Sequence, residues 1–302
     1  MRHCISINDL SKQDILKLLK LTEKYEKNHR QPNKLKSQVV ASLFFEPSTR
    51  TRLSFESAIH NMGGRIIGFS DSGSTSTKKG ESLEDTIRMA ASYSDLIVMR
   101  HPENGSAARA ATVSDVPVVN AGDGSNEHPT QTLLDLYSIQ KTQGKLSGLK
   151  VGLSGDLKYS RTIHSLIKAL AMFGKNDFVA ISPDQIKLPS EYEDIIKSSG
   201  GTLESCTAFD EIDDLDILYN TRIQRERYDD ADEIRQAIND LPCLRKANLK
   251  SVKSNFRVLS PLPRLDELDT DVDDHPSAYY FEQAKNGLFV RQALMDTLLL
   301  AN

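Results

Sequence analysis

The chain has 302 residues, about twice the commonest domain size, which predicts two domains. Hydrophobic residues make up 38% and charged residues 26%, as in ordinary globular proteins. The formal charge of −4, from 38 basic and 42 acidic residues, argues against a dedicated nucleic-acid binder, which would need a basic face. No run approaches the roughly 20 apolar residues that cross a bilayer, and the N-terminus is too polar for a signal peptide. The lack of such a run predicts no membrane contact. Cys4, Cys206 and Cys243 are far apart, so we expect free thiols in a reducing cytoplasm and no structural zinc.

Short β-branched runs alternate with segments of helical period, which is typical of parallel sheets covered by helices. In the first half of the chain the pattern predicts strands at Val39–Phe45, Arg65–Phe69, Asp95–Met99 and Val116–Asn120. It predicts helices at Ser48–Met62, Glu81–Tyr93 and Pro129–Gln143. Proline is favoured in a first helical turn, which suits Pro129.

The same rhythm restarts after residue 148. Strands are predicted at Leu149–Leu153, Phe178–Ile181, Ile217–Tyr219 and Arg257–Leu259, with a helix at Ser160–Phe173. An apolar helix at about Gly287–Leu300 has no strand after it. We therefore predict an α/β fold of two similar-sized domains, residues 1–132 and 133–286, each a mostly parallel sheet flanked by helices. The C-terminal helix, residues 287–302, is expected to pack back on the first domain.

The stretch from Phe44 to Arg52 is the best candidate for an anion site. An apolar strand ends, Pro47 breaks it, and hydroxyls and arginines open an amphipathic helix. Backbone N–H groups at a helix N-terminus attract anions, hydroxyls add donors, and arginines bind phosphate in a bidentate way. The alternative is that Ser48 only caps the helix and that Arg50 and Arg52 lie in solvent.

Two further features follow predicted strands. Arg100 comes after one strand, and His128 and Gln131 open a helix after a polar loop. A single Arg or His in such a place is often a surface residue. There is no GxxxxGK[ST] run, so a P-loop nucleotide site is excluded.

Together these segments resemble the catalytic chain of aspartate carbamoyltransferase, and the resemblance covers essentially the whole sequence. Five motifs stand in the family's order: Phe45-Glu-Pro-Ser-Thr-Arg-Thr-Arg52, Val98-Met-Arg-His-Pro102, Asn120-Ala-Gly-Asp-Gly-Ser-Asn126, His128-Pro-Thr-Gln-Thr-Leu-Leu-Asp135 and Pro261-Leu-Pro-Arg264. The resemblance implies transfer of the carbamoyl group of carbamoyl phosphate to L-aspartate, an early step of pyrimidine biosynthesis. The first domain would bind carbamoyl phosphate and the second would bind aspartate.

The resemblance also implies roles for individual residues in binding carbamoyl phosphate. The phosphate would be held by Ser48, Thr49, Arg50 and Thr51. The carbonyl oxygen would be surrounded by Thr51, Arg100 and His128, and the carbamoyl nitrogen by Gln131, Pro261 and Leu262. The Leu262–Pro263 bond is expected to be cis.

The acceptor has two carboxylates, so its pocket needs separated cations. Arg161 and Arg222 each follow a predicted strand of the second domain, although each alone could be a surface salt bridge. The resemblance assigns Arg161 to the α-carboxylate, and Arg222 with Gln224 to the β-carboxylate.

The segment Asp71–Gly80 has no apolar residue to bury and carries two adjacent lysines, which predicts a surface loop. In the family the equivalent loop enters the active site of a neighbouring subunit. Ser76 and Lys79 would then act on carbamoyl phosphate, and Lys79 also on aspartate, in the next chain of a homotrimer. A separate regulatory chain could bind such a trimer.

The chain departs from the family at two positions. Ser260 stands where His is common before Pro-Leu-Pro, which puts in doubt the bonds that hold this turn, and Ser160 stands where Gly is common.

Carbamoyl phosphate is already activated, so neither a cofactor nor a metal ion is expected, and catalysis is assigned to Arg50, Thr51, Lys79, Arg100 and His128. Two alternatives remain, ornithine carbamoyltransferase and a non-catalytic scaffold of the same fold. No cysteine lies near Pro261, as the ornithine enzymes would have, and the phosphate and carbonyl groups that a scaffold would have lost are present.

Overall fold

A computed structural model describes residues 2–71, 73, 75–210, 212–228 and 231–300, without the side chains of residues 77 and 231–234. Backbone contacts divide the chain into two compact units, residues 1–137 with 284–302 and residues 138–283. Among the described residues, each unit contains one parallel sheet. The predicted α/β class with two parallel sheets flanked by helices is therefore confirmed.

The first unit is built on a sheet of four described strands in the order β2-β1-β3-β4. The strands are β1 (Val39–Phe44), β2 (Arg65–Phe69), β3 (Leu96–His101) and β4 (Val118–Asp123). The helices are α1 (Lys12–Lys27), α2 (Thr49–Asn61), α3 (Leu83–Tyr93), α4 (Ser106–Val113) and α5 (Pro129–Gln143). Helix α5 belongs to the first unit up to residue 137 and to the second unit after it. Apolar side chains of β1, β3, α3 and α4 form one core cluster. The strands β1, β3 and β4 are almost fully buried, which explains why β1 and the first four residues of β3 are largely apolar.

The second unit is built on a sheet of five described strands in the order β7-β6-β5-β8-β9. The strands are β5 (Lys150–Gly155), β6 (Asp177–Ile181), β7 (Leu203–Cys206), β8 (Ile217–Thr221) and β9 (Arg257–Leu259), and the helices are α6 (Arg161–Ala171), α7 (Ser190–Ser198) and α8 (Ala231–Asp240). The buried stripe of α6 includes Ile163, Leu166, Ile167 and Leu170, as the sequence period predicts. None of the described helices is long and apolar enough to cross a membrane.

The structure corrects the predicted ends of several elements. The last helix, α9, spans Tyr280–Leu299 and so begins seven residues earlier than predicted, and its part from residue 284 onward belongs to the first unit as expected. Strand β3 runs to His101, so Arg100 lies within a strand and not after it. Strand β4 begins at Val118 and extends to Asp123.

Candidate active site

The proposed phosphate motif lies where β1 ends and α2 begins. Ser48 occupies the N-cap of α2 with an extended backbone, φ −155°, and its side chain makes no capping hydrogen bond. The capping hydrogen bond of the alternative is therefore absent, whereas the exposure of Arg50 agrees with that alternative. The next two side chains, Thr49 and Arg50, are exposed, whereas Arg52 pairs along the helix with Glu56 at 3.5 Å. This end of α2 carries the N–H groups, hydroxyls and guanidinium that suit a bound phosphate.

Thr51 and His128 meet although they are 77 residues apart in the chain. The Thr51 Oγ1 lies 3.5 Å from the His128 Nε2, and both side chains are more than nine-tenths buried. The other ring nitrogen, Nδ1, lies 3.3 Å from the Thr130 Oγ1. Two hydrogen-bonding groups from α2 and from the start of α5 thus converge on one place.

Arg100 reaches the same region through the sheet. It stands opposite Phe44 in the register of β1 and β3, and its carbonyl oxygen accepts from the Phe45 N–H at 2.9 Å. Its Nε donates to the Glu46 carboxylate at 2.6 Å. The parallel register therefore brings this guanidinium to the first residues of the phosphate motif. An incoming phosphate would compete with Glu46 for it.

Gln131 lies in the first turn of α5, three residues after His128. Its Nε2 donates to the Asp135 carboxylate at 2.9 Å, and Asp135 is completely buried. The amide is thus held by its own helix at a buried end of the first unit. It can offer a carbonyl oxygen to a ligand.

The predicted loop at 71–80 is only partly described, since residues 72 and 74 lie outside the described residues. Ser76 and Lys79 form the ends of a short 3-10 helix and both side chains are exposed. Within the part of the chain that the structure describes, the Lys79 ammonium makes no ion pair. The structure of the single chain does not bring Ser76 or Lys79 to Thr51 or His128.

In the second unit, Arg161 and Gln224 are linked through Tyr159. Arg161 is the first residue of α6 and is buried, and its N–H donates to the Tyr159 carbonyl at 3.0 Å. The Gln224 Nε2 donates to the same carbonyl at 2.7 Å. Asp156 braces both segments, because its carboxylate accepts from the N–H groups of Tyr159 at 2.9 Å and Gln224 at 3.0 Å. Burial raises the pKa of Asp156, and these hydrogen bonds oppose that shift.

Arg222 follows β8 and is held by a carboxylate four residues further along the chain. Two of its nitrogens donate to the two oxygens of Glu226, at 3.0 and 2.5 Å. Hydrogen bonding to Glu226 raises the pKa of Arg222, and the same contact lowers the pKa of Glu226. This contact partly agrees with the alternative that Arg222 only forms a surface salt bridge, because Glu226 is exposed. The Arg222 side chain itself is only partly exposed.

The turn that carries Pro261 and Leu262 is held by Ser260. The Ser260 Oγ accepts from the Leu262 N–H at 3.1 Å, and its own N–H donates to the buried Gln283 at 2.8 Å. The Leu262–Pro263 bond is cis, as the resemblance implies. Serine thus supplies a bond within this turn. At the second departure, Ser160 has a negative φ of −77°, which an L-residue adopts without strain.

The family is shown by comparison with known proteins. The carbamoyl-phosphate-binding domain of aspartate/ornithine carbamoyltransferases matches residues 2–141, and their Asp/Orn-binding domain matches residues 147–298. A curated aspartate carbamoyltransferase catalytic subunit from Parabacteroides distasonis is 50% identical over 299 residues, which cover 98% of this chain and 96% of that relative. The chain belongs to the aspartate carbamoyltransferase family.

Solved structures of the family agree with this assignment. The catalytic subunit of M. jannaschii aspartate transcarbamoylase is 43% identical, with a TM-score of 0.92 and coverage of 100% of this chain and 99% of that one. Aspartate transcarbamoylase from Trypanosoma cruzi in complex with N-(phosphonacetyl)-L-aspartic acid is 36% identical, with a TM-score of 0.91 and coverage of 99% and 96%. The same protein in complex with carbamoyl phosphate and aspartate is 35% identical, with a TM-score of 0.92 and coverage of 99% and 97%.

Four acidic residues that orient candidate groups of this carbamoyltransferase were not found by sequence reasoning. They are Glu46, Asp135, Asp156 and Glu226. Residues 222–224 are not helical, so helical spacing did not indicate the contact of Glu226 with Arg222. Asp135 stands four residues after Gln131 on α5, a spacing that places two side chains together along a helical turn. That signal was readable in the sequence. The contact of Glu46 with Arg100 depends on the register of two strands and was not.

Proposed function

We propose that the side chains described above transfer the carbamoyl group of carbamoyl phosphate to the α-amine of L-aspartate. The products are N-carbamoyl-L-aspartate and phosphate. The observation that carries the proposal is the meeting of Thr51 and His128 beside the N-terminus of α2, at 3.5 Å. An anion site adjoining two buried hydrogen-bonding groups suits an acyl phosphate, whose phosphate and carbonyl oxygen are adjacent. Family membership and the named activity of the relatives support the same reaction.

Carbamoyl phosphate is assigned to residues 1–132 with the C-terminal helix, residues 287–302. Ser48, Thr49, Arg50 and Thr51 hold the phosphate, because the open N-terminus of α2 supplies N–H groups and hydroxyls around one guanidinium. Arg100 adds a second guanidinium when the phosphate displaces Glu46. Gln131 holds the carbamoyl nitrogen, together with the backbone at Pro261 and Leu262.

The reaction needs no covalent intermediate with the protein. The neutral amine of aspartate attacks the carbonyl carbon, and Thr51, Arg100 and His128 stabilise the oxyanion of the tetrahedral intermediate. The bond from carbon to the phosphate oxygen then breaks. The phosphate leaves with the bonding electrons, stabilised by Arg50, Arg100 and Lys79, and one of its oxygens accepts the amine proton. Positioning and electrostatics therefore carry the catalysis.

L-Aspartate is assigned to residues 133–286. Arg161 binds the α-carboxylate, and Arg222 with Gln224 binds the β-carboxylate. The bidentate contact to Glu226 supports this role, because it holds the Arg222 fork in one orientation before the substrate arrives. An ornithine side chain carries an ammonium, which Arg222 would repel. The aspartate assignment is therefore favoured over ornithine.

We assign Ser76 and Lys79 to the active site of a neighbouring chain in a homotrimer, where Lys79 contacts both substrates. Their exposure and the unpaired ammonium among the described residues support this assignment. The first unit also presents a surface suited to assembly. Its edge strand β2 is largely exposed, and Ile67 and Tyr93, which are 38% and 63% exposed, line one open groove.

The cellular setting is assigned from the family. We place the protein in the cytoplasm, in the synthesis of pyrimidines. The relatives' names specify a catalytic subunit, which supports a separate regulatory chain that binds the trimer.

The direct test is phosphate release by the purified chain with carbamoyl phosphate and either L-aspartate or L-ornithine. We expect release that depends on aspartate, and a single sedimenting species of three chains. Equal or faster release with ornithine would contradict the assignment of Arg222. No release with either amine would support the non-catalytic scaffold.

A further inference from the structure

The buried carboxylate of Asp135 controls the orientation of the Gln131 amide. Both residues lie on α5, four positions apart, and the Gln131 Nε2 donates to the Asp135 Oδ1 at 2.9 Å. Gln131 is 9% exposed and Asp135 is completely buried. Both side chains are thus buried, and the carboxylate is the more completely buried of the two.

An ionised carboxylate can only accept hydrogen bonds. It must therefore face the NH₂ group of the Gln131 amide and would repel the carbonyl oxygen. With Nε2 fixed in this way, Oε1 occupies the opposite edge of the planar amide group, away from Asp135. An amide oxygen accepts hydrogen bonds, so this arrangement prepares Gln131 to accept from an N–H group of a ligand.

Arg291 supplies the counter-charge in the same buried region. It lies on α9 and is 3% exposed, and its guanidinium carbon is 4.9 Å from the ring centroid of Phe55 on α2. Burial lowers the pKa of Arg291 to about 9, and the attraction of Asp135 opposes this shift. A nearby cation favours the ionised form of the Asp135 carboxylate, which can only accept hydrogen bonds.

The lack of a side chain at Gly287 leaves room for the Arg291 guanidinium. A Cβ at this position would lie 2.1 Å from the Arg291 Nη1 and 3.1 Å from the Leu134 Cδ2, so any larger residue would displace the guanidinium. Leu134 is the neighbour of Asp135 on α5. The guanidinium is thus enclosed by α9, α5 and α2, which are the C-terminal helix and the two helices that carry the proposed groups for carbamoyl phosphate.

We propose that Asp135, with Arg291 as a nearby counter-charge, is a positioning residue that makes the site selective for a carbamoyl group over acyl groups that lack an N–H. This inference rests on the proposed function, in which Gln131 faces the carbamoyl nitrogen. Acetyl phosphate is the matched probe. It keeps the phosphate and the carbonyl oxygen of carbamoyl phosphate and carries a methyl group in place of NH₂, so the fixed Oε1 gains nothing from it.

The test compares two constants in the same variants: the KM for carbamoyl phosphate, and the Ki of acetyl phosphate as a competitor of carbamoyl phosphate. Asp135→Asn keeps the size of the side chain and can either donate or accept, so Gln131 loses its preferred orientation. We expect the KM for carbamoyl phosphate to rise about tenfold, the effect of one lost hydrogen bond to a buried group. The Ki of acetyl phosphate should stay within about twofold of the wild-type value, because Gln131 makes no N–H contact with this probe.

Two further variants make the result decisive. Asp296→Asn is the control, since Asp296 lies on α9 and accepts from Tyr25 at 2.6 Å and from Lys34 at 3.3 Å; both constants should be unchanged. Asp135→Asn/Arg291→Met removes both buried charges together, which avoids leaving one unpaired if the single variant does not fold. The double variant should also raise the KM for carbamoyl phosphate and spare the Ki of acetyl phosphate.

An equal rise of both constants would overturn the inference, because a merely structural role of Asp135 would weaken both ligands alike. Unchanged constants would also overturn it. A wild-type chain that neither uses carbamoyl phosphate nor binds acetyl phosphate would instead overturn the proposed function, and the inference with it.

Discussion

Replacing Glu226 by Gln tests whether Arg222 is oriented before aspartate binds. The variant keeps the size of the side chain but removes its charge and one of the two acceptor oxygens that hold the guanidinium at 3.0 and 2.5 Å. Glu226 is not assigned to any substrate contact. Any change in the KM for aspartate in the Glu226→Gln variant must therefore result from a change in Arg222.

The size of the effect follows from the exposure of the pair. The Glu226 side chain is 56% exposed and that of Arg222 is 25% exposed, so solvent screens much of their attraction. The remaining loss is the ordering of a long side chain, which costs about 1 kcal/mol when a ligand has to immobilise it. A loss of about 1 kcal/mol corresponds to a rise of about fivefold in the KM for aspartate.

The assay is steady-state phosphate release at saturating carbamoyl phosphate with varied aspartate. The KM for carbamoyl phosphate should not change. Glu193→Gln is the matched control, since Glu193 pairs with Lys197 at 2.7 Å with the same four-residue spacing in the same unit. An unchanged KM for aspartate in Glu226→Gln, or the same change in the control, would refute the argument that Glu226 orients Arg222.

Three other changes have defined outcomes. Arg50→Ala should lower turnover by at least about a hundredfold. The thermal unfolding midpoint should not change, because an exposed Arg at a helix start contributes little to stability. Near-normal turnover would show that Arg50 does not bind the phosphate. Lys79→Ala and Arg50→Ala should each be inactive as homotrimers. When the two proteins are dissociated, mixed and reassembled, a hybrid trimer can contain one site with both Arg50 and Lys79 intact, so partial activity should return. Confirmed hybrid trimers without activity would exclude a loop shared between chains. Burial lowers the pKa of His164 from 6.5 to about 4, so the unfolded chain binds a proton between these values that the folded chain does not. The free energy of unfolding of the second unit should therefore fall by about 2 kcal/mol between pH 7 and pH 5, and His164→Gln should abolish this fall when urea unfolding is compared at the two pH values.

The buried parallel strands were predictable from the sequence, and the more polar elements were not. β1, β5 and β8 are apolar runs because both of their faces are buried. Strand β7 was missed because its four residues, Leu203-Glu-Ser-Cys206, contain no apolar run, whereas the edge strand β2 was found from Ile66 and Ile67 although it is largely exposed. The start of α9 was missed because its first turns bury the polar residues Gln283 and Asn286, which the apolar pattern does not register.

The residue types of the candidate site were also predictable, but the contacts that orient them were not. Hydroxyls and arginines at Ser48–Thr51 indicate an anion site because helix N-termini and guanidinium groups bind anions by general rules. The pairing of Arg100 with Glu46 is different, because it follows from the register of β1 and β3, which places residues 54 positions apart side by side. The assignment of Arg291 required the packing of α9 on the first unit.

The most direct test of the assigned contacts is a crystal structure of this chain with N-(phosphonacetyl)-L-aspartate. This compound joins a phosphonate, a carbonyl oxygen and the two carboxylates of aspartate in one molecule. We predict the phosphonate at the N-terminus of α2 between Ser48 and Thr51, the carbonyl oxygen within hydrogen-bonding distance of Thr51 and His128, and the two carboxylates on Arg161 and Arg222. A phosphonate bound away from α2, or carboxylates held by neither Arg161 nor Arg222, would contradict the account.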